Sequence, residues 1–219
     1  DDIRECIGCN ICVSGDMTIT PIRCTQNPTM GEEWRKGWHP ERIATKKTES
    51  RVLVVGAGPA GLEAARALGE RGDEVHLADA GRELGGRVSL EARLPGLAEW
   101  ARVGDWRVGQ IEKLAKVAVY RESELSAQDV LDFGAARVAL ATGCAWRRDG
   151  FGRSNGGPIP GFERANVYTP DDLMRGILPE GPVLLFDDDA FYLASVLAEL
   201  LCKAGREVVY VTPEDTIAA

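Results

Sequence analysis

The run Gly56-Ala57-Gly58-Pro59-Ala60-Gly61 restricts the possible folds of this chain more than any other stretch, because of what flanks it. Val52-Leu53-Val54-Val55 precedes it and reads as a buried parallel strand. Residues 59–70 follow with helical spacing, Leu62, Ala65 and Leu68 on one face, Pro59 at the start and Gly72 after the end. A Gly-x-Gly-x-x-Gly turn between a strand and a helix is the phosphate loop of dinucleotide-binding α/β folds. Gly56 permits the tight turn, Gly58 lets backbone amides reach a pyrophosphate, and Gly61 lets helix and strand pack closely. Ala57, Pro59 and Ala60 complete the candidate loop. The next strand, Glu74 to Ala78, is followed by Asp79, 23 positions beyond Gly56. There, with Ala80 beside it, Asp79 would accept hydrogen bonds from an adenosine ribose and repel a 2′-phosphate. Gly85-Gly86-Arg87 and Ala141-Thr142-Gly143 offer small residues where backbone could near a ligand, which adds Gly86 and Arg87 to the candidates. The competing reading is a set of plain turns in an ordinary α/β domain.

The N-terminal stretch carries a second signal. Cys6, Cys9, Cys12 and Cys24 spell Cys-x2-Cys-x2-Cys-x11-Cys. Three cysteines at i, i+3 and i+6 can turn their sulfurs around one centre, with Gly8 easing the backbone, and Cys24 supplies a fourth thiolate. Cubane clusters take four such ligands. Structural zinc sites usually pair two Cys-x2-Cys knuckles, which this three-plus-one arrangement does not do. The spacing therefore favours [4Fe–4S] and leaves zinc as the alternative. His39, between Trp38 and Pro40, reads as a packing or hydrogen-bonding residue rather than a ligand. Cys144 and Cys202 stand alone and read as small core residues.

Residues 1–50 are otherwise irregular, and a metal cluster would supply the cross-link such a segment needs to be ordered. After Arg51, strands and helices alternate. A helix is predicted over 97–116, weakened by Gly104 and Gly109, then a strand at 117–120 and a helix at 126–132 capped by Ser126. A further strand follows at 137–141. Residues 144–170 read as a surface excursion or linker. The pattern restarts with a strand at 183–186, a helix at 190–203 and a strand at 207–211. The expected fold is α/β: an iron–sulfur loop segment (1–50), a doubly wound Rossmann-like parallel-sheet domain (51–178) and the start of a second such unit (179–219). The second unit has no glycine in either register of the phosphate loop. It carries Asp187, Asp188 and Asp189 where a pyrophosphate would sit, so it is expected not to bind NAD(P)H.

Composition narrows the classes. The 219 residues are 44% hydrophobic and 27% charged, with 34 acidic against 26 basic residues and a formal charge of −8. No basic patch supports nucleic-acid binding and no apolar run is long enough to span a membrane. With no signal peptide and no disulfide-like cysteine pattern, a soluble cytoplasmic protein is expected. The absence of an initiator Met and the stop just after a strand suggest a piece of a longer polypeptide.

Together, Arg4-Glu5-Cys6-Ile7-Gly8-Cys9-Asn10-Ile11-Cys12, Cys24-Thr25-Gln26-Asn27, the stretch from Gly31 through Trp34, Trp38 and His39 to Glu41, Val54 to Pro59, and Leu94-Pro95-Gly96-Leu97 resemble the trimethylamine, dimethylamine and histamine dehydrogenases. The resemblance runs over essentially the whole chain; its cysteine stretch is specific to that group, while the glycine loop is shared widely. It implies an N-terminal TIM barrel with covalent FMN, absent here, in which an amine is oxidised. It implies electron flow from FMN to a [4Fe–4S] cluster on Cys6, Cys9, Cys12 and Cys24, then to an electron-transferring flavoprotein or similar acceptor. It implies ADP at Gly56, Gly58, Gly61 and Asp79, where reductase relatives hold FAD, and a homodimer of the full-length protein. No catalytic residue is assigned within this chain, which alone is expected to be inactive on amines. The alternative is a fragment of an NAD(P)H-dependent enoyl-reductase-type flavoprotein with FAD in that loop. A zinc-stabilised nucleotide-binding module is the non-enzymatic option.

Overall fold

The computed structural model describes residues 2–17, 20–48 and 50–217; residues 1, 18, 19, 49, 218 and 219, inside the expected first and third segments, lie outside the described residues. Packing divides the chain into two units, residues 1–89 with 99–143, and residues 90–98 with 144–219. Residues 144–178 therefore pack with the second unit, although their place in the chain follows the motifs of the first.

In the first unit, α1 (Ile11–Met17) is a short helix inside the cysteine segment. The sheet begins with β1 (Arg51–Val55), whose three central residues are buried. Helix α2 (Pro59–Arg71) returns the chain and ends on Gly72 in the left-handed conformation. β2 (Glu74–Ala78), α4 (Arg102–Ile111), β3 (Val117–Tyr120), α5 (Ala127–Phe133) and β4 (Arg137–Leu140) follow; between β2 and α4 the one-turn helix α3 (Arg87–Glu91) and a 3-10 turn at Ala98–Ala101 stand where the chain passes into the second unit at residue 90 and back at 99. All pairings are parallel and the order is β3-β2-β1-β4, with Val54 between Leu77 and Ala139. Beginning at β1, the chain winds one way to β3 and then returns to place β4 on the other side. The loops after β1 and β4 therefore diverge at the switch point, where such sheets bind ligands.

The core explains why β1 sits at the centre. Val52, Val54, Leu62, Ala65, Val75, Leu77 and Ile111 close on one another, and Leu62, Ala65, Val75 and Leu77 are fully buried. Each buried Leu or Val contributes roughly 1.5–3 kcal/mol relative to exposure. Leu62, Ala65 and Leu68 do share the packed face of α2, as their spacing predicts.

The second unit holds α6 (Pro170–Met174), β5 (Val183–Phe186), α7 (Tyr192–Lys203) and β6 (Val208–Val211), with β5 and β6 parallel. Leu193, Leu197 and Leu201, spaced four apart on α7, pack with Leu94, Leu173 and Met174. The Asp172 carboxylate accepts both the Thr169 amide at 2.8 Å and its hydroxyl at 3.0 Å, fixing the start of α6.

Several expectations are corrected. The predicted 97–116 helix is a 3-10 turn followed by α4, which stops at Ile111 so that residues 112–116 can turn and present Val117 beside Val75. The helix expected from residue 190 starts at Tyr192, because Ala190 has φ +57 and Phe191 is extended. The helices α1, α3 and α6 carried no readable periodicity; each is seven residues or fewer. Cys144 and Cys202 are exposed rather than core: Cys202 follows the buried Leu201 on α7 and is turned about 100° off its apolar face. His39 is also exposed, so it is not a packing residue. The capping of α5 by Ser126 agrees with expectation, as the Ser126 hydroxyl accepts the Asp129 amide and Asp129 accepts the Ser126 amide in return.

Candidate functional site

The glycine loop occupies the switch point between β1 and β4. Gly56 has φ +98, and a Cβ there would lie 2.3 Å from the Ala141 carbonyl oxygen. Only glycine satisfies both conditions. A Cβ on Gly61 would stand 1.8 Å from the Gly56 oxygen, so that residue sets the approach of α2 to its strand. At Gly58 the opposite holds: its φ is −71 and nothing lies within 4 Å of an added Cβ. No side chain caps α2, and Pro59 has no amide to satisfy, so the first turn presents its N–H groups and positive dipole end toward that open space.

Asp79 joins the loop from the end of β2. Its Oδ2 accepts the Ala57 amide at 2.5 Å and its Oδ1 the Gly81 amide at 2.7 Å. A carboxylate has about four acceptor positions, so lone pairs remain for further donors. The Gly85 amide donates to the Ala57 carbonyl at 2.8 Å, and a Cβ on Gly86 would be 3.0 Å from the Gly58 Cα. Thus Gly56, Ala57, Gly58, Asp79 and Gly86 are brought together around one turn. Arg87 opens α3 next to them and Ala80 lies exposed beside Asp79.

The cysteine segment is drawn together by its own loop. The Gly8 amide donates to Cys6 Sγ and the Gln26 amide to Cys24 Sγ, both at 3.3 Å, and Cys9 Sγ lies 3.3 Å from the Thr25 hydroxyl. Gly8 and Asn10 take positive φ, as a chain folding around a point requires. Cys12 sits in the first turn of α1. Among the described residues, no three His, Cys, Asp or Glu side chains close on a point that would hold one ion. Four thiol donors, two of them receiving amide hydrogen bonds, fit an iron–sulfur cluster.

This segment is held on the same unit as the glycine loop, by contacts with α4 and the turn after it. The Arg4 guanidinium stacks 3.9 Å over the Trp106 ring, Arg102 donates to the Cys6 carbonyl at 3.0 Å and pairs with Glu5 at 3.1 Å, and Lys113 pairs with Asp2. Behind it lies a group of charges absent from the sequence expectations. Glu63 of α2 accepts from Arg66 at 2.6 Å and from Arg107 at 2.8 Å, and Arg107 reaches Gln26. Burial pushes the Glu63 carboxyl up, but Arg66, Arg107 and Arg4 together hold it below the usual carboxylate range. No signal in the sequence marks these residues as a set, because their polar side chains come from three separate segments.

The second unit has a different turn. Asp187 is 2% exposed; its Oδ1 accepts the Asp189 and Ala190 amides at 3.1 and 2.9 Å, and its Oδ2 accepts the Tyr210 phenol at 2.6 Å. Asp188 turns to the Ser154 amide at 2.8 Å. The three acidic residues therefore do not simply crowd one helix end: one is folded inward and one is engaged by a neighbouring loop.

A glycine turn at the switch point of a parallel sheet, with a carboxylate on the adjoining strand end, defines a Rossmann-like nucleotide-binding α/β protein. The chain belongs to the pyridine nucleotide-disulphide oxidoreductase family, whose model matches residues 41–175. It is 45% identical over 221 aligned residues to dimethylamine dehydrogenase of Hyphomicrobium sp. (strain x), an alignment that covers 97% of this chain and 30% of that protein. Among solved structures, histamine dehydrogenase from Rhizobium sp. 4-9 superposes with a TM-score of 0.93 at 53% identity, covering 99% of this chain and 32% of that one. The 6-hydroxypseudooxynicotine amine oxidase from Pseudomonas geniculata N1 gives 0.95 at 50% identity, covering 100% and 33%. The chain is thus homologous to the dimethylamine and histamine dehydrogenases and spans about a third of their length. No helix among the described residues is long and apolar enough to cross a membrane.

Proposed function

We propose that this chain is the electron-transfer and nucleotide-binding portion of an iron–sulfur flavoprotein that oxidises a small amine. Cys6, Cys9, Cys12 and Cys24 would hold a [4Fe–4S] cluster, which supplies one-electron transfer between the flavin and an external acceptor. The loop at Gly56–Gly61, with Ala57, Pro59 and Ala60, would bind the diphosphate of ADP. Asp79 and Ala80 would meet its ribose, and Gly86 and Arg87 would flank it. FMN and the amine pocket would belong to a barrel in the longer protein. An electron-transferring flavoprotein is the proposed acceptor, and a homodimer the proposed assembly.

One observation carries this reading: the two nucleotide-type turns of one chain have opposite chemistry. At Gly58 the first turn is open, uncapped and rich in amide donors, while the second is closed by its own Asp187 carboxylate. An NAD(P)H-dependent reductase needs both sites open, so the closed turn supports an amine dehydrogenase over the reductase alternative.

Denaturing the purified protein and identifying the released nucleotide tests the reading, together with iron, sulfide and zinc analysis. ADP with about four iron and four sulfide per chain is expected. FAD in the extract, or zinc in place of iron, would overturn it.

A further inference from the structure

We propose that Gln26 is a positioning residue that locks the Cys24 sulfur against the loop carrying Cys6, and that Arg107 behind it raises the reduction potential of the centre held there. The inference rests on the cluster reading above and extends it to residues outside the thiol set.

Gln26 is 3% exposed, and its polar groups are engaged on every side. Its amide donates to Cys24 Sγ at 3.3 Å, and its carbonyl accepts from Arg4 at 2.6 Å. Its side-chain Nε2 donates to the Glu5 carbonyl at 3.3 Å, and Oε1 faces Arg107 at 3.5 Å. Glu5 immediately precedes Cys6, so one side chain ties the Cys24 turn to the start of the Cys6–Cys12 loop. The bond from amide to sulfur depends on where the turn sits, and the turn is held by these anchors. Without them the sulfur keeps its covalent place in the chain but loses its fixed distance from the other three.

Arg107 is itself fixed. It is 7% exposed, its Nε donates to Glu63 at 2.8 Å, and Nη1 donates to the Val103 carbonyl at 2.8 Å. Around it, Arg4, Arg66 and Arg107 face Glu63, Glu70 and Glu41; the Arg66 and Arg107 side chains are buried while Glu63 and Glu70 are about a third exposed, so solvent screens the anions more than these two cations. An electron added to a cluster brings a negative charge, which nearby cations and N–H···S bonds stabilise. Residues that serve only to hold the fold would leave the potential where it was.

The test uses the 219-residue chain loaded anaerobically with iron and sulfide, its midpoint read by redox titration of the reduced-cluster EPR signal. Arg107→Gln and Gln26→Ala are each expected to move the midpoint to more negative values, and Gln26→Ala to release iron faster to a chelator. Arg107→Lys keeps the charge and loses the planar fork. It is expected to stay near the wild-type midpoint while releasing iron faster. Should Arg107→Gln or Gln26→Ala lose its iron during purification, Arg107→Lys carries the release-rate arm, and Glu63→Gln, which removes the anion facing Arg107 and is expected to move the midpoint to more positive values, carries the potential arm. Wild-type midpoints in loaded Arg107→Gln and Gln26→Ala, or a wild-type release rate in Arg107→Lys, overturn the inference alone. A wild-type chain that takes up no iron and sulfide overturns the cluster reading and this inference with it.

Discussion

The phenol of Tyr210 donates to Asp187 at 2.6 Å, and the other oxygen of that carboxylate accepts the amides of Asp189 and Ala190. The turn after β5 is thereby closed from within, by a buried side chain that occupies the amides a phosphate would need.

Asp187→Ala would remove the shared acceptor of a hydroxyl and two amides in a partly buried place. A loss of about 1–3 kcal/mol is expected for the second unit, read from denaturant unfolding. The same closure predicts that NADH does not bind through this unit. Saturable NADH binding by calorimetry in a chain carrying Gly58→Leu, which blocks the first site, would show otherwise.

Gly58 and Gly61 should separate folding from binding. Gly58→Ala places its methyl in open space at an ordinary φ, so stability is expected to change by less than about 0.5 kcal/mol. Nucleotide affinity should fall by roughly tenfold or more, because the methyl stands where the phosphates approach. Gly61→Ala forces a carbon to within 1.8 Å of the Gly56 oxygen and should lower thermal stability together with binding. Equal affinity of Gly58→Ala and wild type for ADP, by titration calorimetry, would place the nucleotide elsewhere.

Cys9→Ala removes one proposed thiolate, whose sulfur lies 3.3 Å from Thr25. Iron content should drop and the segment before β1 should become more susceptible to proteolysis, since Ile7 and Gln26 are the only residues it buries among those described. Full iron retention, measured by elemental analysis, would count against the assignment.

The Glu63 carboxyl gives the first unit a predictable acid limb. Burial alone would raise its pKa, but Arg66, Arg107 and Arg4 hold it below the usual range. A depressed folded value means that the stabilisation is present above the unfolded carboxyl's pKa of about 4.3 and is lost as pH falls through the folded value. Glu63→Gln should therefore flatten the decline of stability below about pH 4. Its cost at pH 7 should be about 1 kcal/mol, because more than a third of the side chain is open to screening solvent. Denaturant midpoints across pH for the two proteins check this.

Much of the fold was legible because its signals are local. Val52–Val55, the turn after it and the Leu62-Ala65-Leu68 stripe announce a strand, a glycine turn and a helix within twenty residues, and all three are present. Errors gathered where tertiary needs overrode spacing: α4 gives up a turn to start β3, and Ala190 in a left-handed conformation delays α7. Cys202 looked like a core residue because a small apolar side chain carries no sign of which helix face it occupies. The expected three-charge block at Asp187–Asp189 was right in composition, but which carboxylate turns inward is decided by Tyr210, 23 residues on.

By itself the amino-acid order determined the parallel α/β architecture, the glycine turn and the set of four thiols, because periodicity and short motifs act through neighbours in the chain. Only the folded molecule decided that Gln26, Glu63 and Arg107 would meet behind those thiols and that Asp187 would seal the second turn. Isolated polar residues leave no periodic trace. Their partners lie tens of residues away, so their roles exist only once packing of the apolar faces has brought the segments within hydrogen-bonding reach.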